Sequence, residues 1–343
     1  MSALSLKKYI GALTTAVTLS ICVTLPTATA QPAAPQPGTQ HPPIHKIPRG
    51  GAEYVALGDS YAGNPTTREQ FESRSEEERC RHGDNSYPVR VASRFTSFAN
   101  FSCSGAVIVE DSTEKPRVSN MPMLIDRAEQ AGALGPNTKV VTITIGGNEA
   151  WLGYRDYGLL GSPAIITPDE YFRRLSPSMA RVRALAPNAR ILLVGYPEVV
   201  GSDDMHCLVD TNRWGFPVRI AFPASNQRAY NIALNRAMEL TAPLMTAEYV
   251  DVFTGSQGHG SCAPDNQRYI KTVLDAPERD DYLPLHLNEA GTKFQADVIL
   301  HHLDTYTPPP RIDLRIPPFD PRLLQLPPLP PPPPAPVLGN LSH

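Results

Sequence analysis

From Tyr54 to Leu303 the chain alternates short β-branched or aliphatic runs with longer helical patterns, and this alternation leaves few folds open to it. Tyr54–Leu57, Val140–Ile145 (VVTITI), Ile191–Val194 and Tyr249–Phe253 read as strands. Met123–Ala131, Tyr171–Leu185, Gln227–Leu240 and Glu289–Leu303 read as helices between and after them. Strands that take turns with helices build a parallel sheet covered on both faces. The expected fold is therefore a three-layer α/β/α sandwich around a mostly parallel sheet. Pro168 followed by Asp169 and Glu170 marks a helix start, and Pro177 predicts a kink or two pieces within Tyr171–Leu185. Leu152–Thr167 and Glu198–Phe222 read as long insertions at the ends of parallel strands, where ligands usually bind.

Proline sets the limits of that folded region. Residues 308–343 hold 14 of the 37 prolines and residues 31–49 hold 6, so the excess lies in two arms. Residues 1–30 read as a secretory signal peptide: Lys7 and Lys8, an apolar stretch from Tyr9 to Leu25, then Ala28-Thr29-Ala30 as the cleavage site. The organisation expected is signal 1–30, Pro-rich linker 31–49, one domain over 50–306 and a Pro-rich tail over 307–343. The tail favours extended polyproline II and suits a spacer or a contact with the cell envelope. The protein is expected to be secreted or extracytoplasmic, and monomeric. Lys+Arg 31 against Asp+Glu 34 gives a net charge of −3 with no basic cluster, which argues against a nucleic-acid partner.

Cys22 leaves with the signal, so Cys80, Cys103, Cys207 and Cys262 remain in the exported chain. Four cysteines allow three pairings, and the nearest-neighbour set, Cys80–Cys103 with Cys207–Cys262, is the one expected. No C-x₂-C pair is present, so no metal is expected.

Four short segments could carry chemistry, each at the end of a strand or the start of a helix. Gly58-Asp59-Ser60-Tyr61 places a hydroxyl just past the first strand, although Asp-Ser turns are common. In Cys103-Ser104-Gly105-Ala106 the glycine would let a backbone N–H approach an oxyanion. Ile145-Gly146-Gly147-Asn148-Glu149 ends the strongest strand with a side-chain amide that can donate to an oxyanion. In Pro284-Leu285-His286-Leu287-Asn288 an imidazole precedes the last helix, suited to a general base. Read alone, the first two segments are better explained as plain turns, and the third is as much a glycine turn as a donor site.

Taken in order, the four segments resemble the SGNH (GDSL-type) hydrolase family across nearly all of 53–303. Tyr54 to Tyr61 matches its first block, Cys103-Ser104-Gly105-Ala106 its second, Ile145-Gly146-Gly147-Asn148 its third, and His286 with Asn288 and Gly291 its fifth. Cys80-Arg81-His82 through Tyr87-Pro88, with Gly258-His259-Gly260-Ser261-Cys262, looks like the disulfide-bonded secreted branch of actinobacterial esterases. The resemblance implies a flavodoxin-like sandwich and a carboxylic ester hydrolase that needs no cofactor. Ser60 would be its nucleophile and His286 its base. The Ser60 and Gly105 N–H groups with the Asn148 amide would form the oxyanion hole.

Three positions depart from the family pattern. Leu283 stands where an acid usually orients the histidine, so a main-chain carbonyl at Leu283 or nearby, or else Asp281, is expected to do so. Glu149 replaces an Asp, and Leu287 replaces a Pro. The expected substrate is an acyl ester, of a lipid or an acylated carbohydrate. An envelope acyltransferase or deacylase would use the same residues. The missing acid also leaves room for a non-catalytic envelope-binding protein. A neutral imidazole base predicts activity that rises through its titration between pH 5 and 8.

Overall fold

The structure, a computed structural model, describes residues 47–72, 80–109, 119–149, 166–276 and 281–307, without the side chains of 71 and 72. The signal peptide, the linker before Ile47, residues 152–165 of the first insertion and the tail from 308 lie outside the described residues.

Seven strands are described: β1 Tyr54–Gly58, β2 Phe98–Asn100, β3 Val140–Thr144, β4 Arg190–Val194, β5 Met205–Thr211, β6 Val218–Pro223 and β7 Glu248–Val250. The α-helices are α1 Ser60–Gly63, α2 Thr67–Glu72, α3 Tyr87–Ala92, α4 Met121–Gln130, α5 Pro168–Leu185, α6 Ser225–Thr241 and α7 Glu289–Thr305. Five strands form one parallel sheet in the order β2-β1-β3-β4-β7, and β5 and β6 form a separate antiparallel pair.

Alternate residues of the central strands serve the two layers, as the period of two requires. Val55, Leu57, Val141, Ile143, Ile191 and Leu193 pack in one cluster with Leu124, Leu175 and Leu234 from α4, α5 and α6. Tyr54, Ala56, Val140, Leu192 and Val194 pack in the other with Tyr87 of α3 and Ile299 of α7. This is the expected sandwich. Burial on both sides explains why the VVTITI strand shows no polar alternation.

Local chemistry fixes the helix starts. Thr167 caps α5 by accepting from the Glu170 N–H at 3.2 Å, and Pro168 occupies the first turn. Asn288 caps α7 by accepting from the Gly291 N–H at 3.0 Å. Two expectations are refined. Of the kink or two pieces expected at Pro177, the two pieces are excluded: α5 continues through Pro177 as one element, because Pro177 and Arg173 are both exposed and water can satisfy the carbonyl that proline leaves without a donor. Glu198–Phe222 is no plain loop: Met205–Thr211 and Val218–Pro223 pair as a hairpin around Gly215, whose φ is +82°. The Cys80–Cys103 and Cys207–Cys262 bonds are both present, with Cα atoms 4.0 and 5.1 Å apart.

Candidate active site

The strand order reverses between β1 and β3, and ligands of open parallel sheets bind beyond the strand ends at such a point. Ser60 follows β1 there, and Asn148 follows β3. The turn into α1 depends on Gly58 at φ +141°, where a Cβ would lie 2.3 Å from the Thr144 carbonyl oxygen. Asp59 is buried, and its carboxylate accepts the Tyr61 N–H at 2.9 Å, which starts α1 and sets Ser60 on its first turn.

Ser60 Oγ and His286 Nε2 are 2.7 Å apart although 226 residues separate them in sequence. His286 Nδ1 lies 2.8 Å from the Pro284 carbonyl oxygen. A carbonyl can only accept, so Nδ1 carries the proton and Nε2 is left to accept from the serine hydroxyl. Burial pushes the imidazole down to about 4, partly opposed by the Pro284 hydrogen bond, so it is neutral at ordinary pH.

The partner of the ring is thus a main-chain carbonyl, as expected at Leu283 or nearby, but it belongs to Pro284 and not to Leu283 itself or to Asp281. The Leu283 carbonyl instead accepts the His286 backbone N–H at 3.2 Å. Asp281 is exposed, and its carbonyl accepts the Thr67 N–H at 3.1 Å. The reason lies in Leu285, a non-glycine residue with φ +64°. That left-handed turn folds the imidazole back onto the carbonyl two residues earlier. Such a conformation costs on the order of 1–3 kcal/mol and needs restraint from its surroundings. Two bonds supply it: the Tyr61 hydroxyl donates to the Leu285 carbonyl at 2.9 Å, and the Leu285 N–H donates to the Lys271 carbonyl at 2.8 Å. The Tyr61 ring also packs against the imidazole, with centroids 4.9 Å apart. No sequence signal announced this clamp.

The other two segments meet Ser60 at the cleft. Asn148 donates one amide N–H to the Ala106 carbonyl at 2.8 Å, which ties its loop to that of Gly105 and leaves the second N–H for a ligand. Gly105 has φ +81°, and Glu149 accepts the Ile108 N–H at 2.5 Å, so the longer acid in place of Asp again links the two loops. Ser60, Gly105, Asn148 and His286 all line one cleft of about 460 Å³. Leu234, Val199, Leu283 and Leu285 give it apolar walls, and His206, Gln227 and Asn231 give it a polar one.

Sequence reasoning missed Tyr196, which follows β4. Its hydroxyl donates to the Asp59 carboxylate and accepts the Gly147 N–H at 3.0 Å. Burial lifts Asp59 to about 7, while the Tyr196 and Tyr61 donors hold it down. A tyrosine closing the apolar run Ile191–Val194 was the available signal, and nothing in the sequence linked it to Asp59.

A serine within reach of a neutral histidine, at the carboxyl ends of a parallel sheet, is an arrangement compatible with the α/β serine hydrolases. The model of the GDSL-like Lipase/Acylhydrolase family matches residues 56–294, and the chain belongs to that family; it is a carboxylic ester hydrolase. Lipase 2 of Streptomyces coelicolor is 26% identical over 314 residues, which cover 85% of this chain and 96% of that relative. Among solved structures, the phospholipase A1 of Streptomyces albidoflavus is 26% identical with a TM-score of 0.48, over 74% of this chain and 99% of that one. An extracellular lipase of Streptomyces rimosus is 22% identical with a TM-score of 0.49, over 73% and 99%.

Proposed function

We propose that this hydrolase is exported and cleaves carboxylic esters through a Ser60 acyl-enzyme. Ser60 Oγ attacks the ester carbonyl carbon as its proton passes to His286 Nε2. The tetrahedral oxyanion is held by the Ser60 and Gly105 N–H groups and the Asn148 amide. Collapse breaks the bond to the alcohol, which leaves with the proton from Nε2. Water then attacks the acyl carbon by the same route, returning Ser60 and releasing the acid. The imidazole needs no acid behind it, because the Pro284 carbonyl holds its tautomer. That removes the ground for a non-catalytic reading.

One observation carries this proposal: the 2.7 Å approach of Ser60 to an imidazole whose other nitrogen is already committed. The apolar cleft walls suit the acyl chain of a lipid-type ester. Export rests on residues 1–30 and on the two disulfides, which persist in oxidising compartments. The test is turnover of p-nitrophenyl esters of graded chain length by the wild type and Ser60→Ala. Wild-type turnover with none in the variant is expected, and equal rates would end the proposal. Amino-terminal sequencing of the exported protein is expected to begin at Gln31. Deleting 308–343 should leave turnover unchanged if the tail is a spacer.

A further inference from the structure

We propose that the β5–β6 hairpin seats this enzyme on an anionic lipid–water interface. Trp214 and Phe216 stand at the tip of the hairpin, 55% and 58% exposed, with ring centroids 6.5 Å apart. Ile220 on β6 is 55% exposed. Val273, which donates its N–H to the Leu208 carbonyl of β5 at 2.8 Å, is 51% exposed. Four of the large exposed apolar side chains of the described residues thus gather on one protrusion.

The base of this protrusion is held firmly. The Cys207–Cys262 bond closes it, and Arg268 reaches Asp210 at 2.6 Å from a buried position. The Thr211 hydroxyl donates to the Asp275 carbonyl at 3.0 Å. β5 also borders the cleft through His206, and α6, which follows β6 directly, borders it through Gln227. The tip and the cleft wall are therefore two ends of one rigid hairpin, about 17 Å of strand apart.

Its chemistry fits a lipid surface better than a second copy of the chain. Four half-exposed side chains offer roughly 400 Å², well short of the ~800 Å² per partner of a stable dimer. A Trp and Phe pair is instead sufficient for shallow insertion at the level of lipid headgroups, where such rings concentrate. Residues 211–223 carry Arg213 and Arg219 and no carboxylate, and the Asp210 carboxylate on β5 is neutralised by ion pairs with Arg219 at 2.7 Å and Arg268 at 2.6 Å, so approach to anionic headgroups meets no unbalanced negative charge on the hairpin. On the ester-hydrolase reading above, on which this inference rests, the substrate is an ester presented in a lipid layer.

The test is co-sedimentation of the full chain with phosphatidylcholine–phosphatidylglycerol vesicles. Trp214→Ser with Phe216→Ser is expected to weaken partition about tenfold and to leave turnover of soluble p-nitrophenyl butyrate unchanged, which also shows that the variant folds. Wild-type emission should shift to the blue on vesicles, and Trp214→Phe should lose that shift. Ser60→Ala should bind vesicles as the wild type does, so failure of catalysis and failure of docking are read separately. Equal partition of wild type and double variant would overturn the proposal. So would a wild-type dimer that the double variant abolishes.

Discussion

The Tyr196 hydroxyl joins the Asp59 carboxylate to the Gly147 N–H, so one phenol connects the turn that carries Ser60 to the turn that carries Asn148. Tyr196→Phe leaves Asp59 with one donor fewer and takes from the Gly147 N–H its tyrosine acceptor, leaving it the Asp59 carboxylate alone. The expected result is a kcat about 10-fold lower with KM little changed, since the loss falls on alignment of the oxyanion donors. Unfolding stability should drop by about 1–3 kcal/mol, the cost of leaving a buried polar group unsatisfied. Steady-state kinetics and urea unfolding check both. A raised KM at constant kcat would place Tyr196 in substrate binding instead.

The pH profile follows from the burial of His286. Only the neutral imidazole can take the Ser60 proton, and the group titrates at about 4. Activity is therefore lost as pH falls through about 4, and kcat/KM should not rise through an imidazole limb between pH 5 and 8. This replaces the rise expected from an ordinary histidine. Asp59, lifted to about 7, is the group that could add a separate inflection near neutrality. Asp59→Asn should remove that inflection and leave the acid limb in place. A limb near pH 6.5 in both proteins would mean that the imidazole is more solvated than its surroundings here imply.

The fold was legible because its strands are buried on two sides. Val140–Thr144 and Ile191–Val194 are built from aliphatic and β-branched residues, with polar side-chain partners only for Thr142 and Thr144, at the Tyr54 and Tyr87 hydroxyls, so their residue types carried the signal. The β5–β6 hairpin was not legible, since Met205–Thr211 mixes His, Asp and Thr and gains its strand geometry from pairing and from the Cys207–Cys262 bond. At the site, Ser60, Gly105, Asn148 and His286 stood out because each sits in a short motif with turn chemistry of its own. Pro284 did not, because a carbonyl is the same in every residue. Its selection depends on the φ of Leu285, which the Tyr61 hydroxyl helps hold from 224 residues away.

That clamp gives a second positioning test. Tyr61→Phe removes the bond to the Leu285 carbonyl and keeps the ring against the imidazole. A loss of about 1 kcal/mol is expected in both kcat and stability, the usual net value of one hydrogen bond. Leu285→Gly should restore part of the kcat in the Tyr61→Phe background, because glycine adopts the left-handed turn without restraint. Failure of glycine to restore any activity would show that the Tyr61 bond acts on something other than the turn.

Asn148→Ala removes an oxyanion donor and also the bond to the Ala106 carbonyl. The expected fall in kcat is about 10²–10³-fold with KM nearly constant, as for other single donors of this kind. Asn148→Asp keeps an acceptor-capable side chain of the same size but puts negative charge where the oxyanion forms, so it should be at least as damaging. If Asn148→Ala kept more than half of the wild-type kcat, the hole would have to be built from backbone donors alone.

The two disulfides should separate stability from catalysis. Closing loops of 23 and 55 residues lowers the entropy of the unfolded chain, by about 3 kcal/mol for Cys80–Cys103 and about 4 kcal/mol for Cys207–Cys262. Unfolding in urea should therefore show the larger loss when Cys207 and Cys262 are both changed to Ala. Catalysis should respond in the opposite order. Cys103 donates its N–H to the Gly58 carbonyl at 2.9 Å and lies two residues before Gly105, so changing Cys80 and Cys103 to Ala loosens the oxyanion loop and lowers kcat. Cys207 neighbours His206 on the cleft wall, away from the reacting atoms, so its loss should act on KM. If both double variants lowered kcat equally, general softening of the fold would explain them and the local argument would fail.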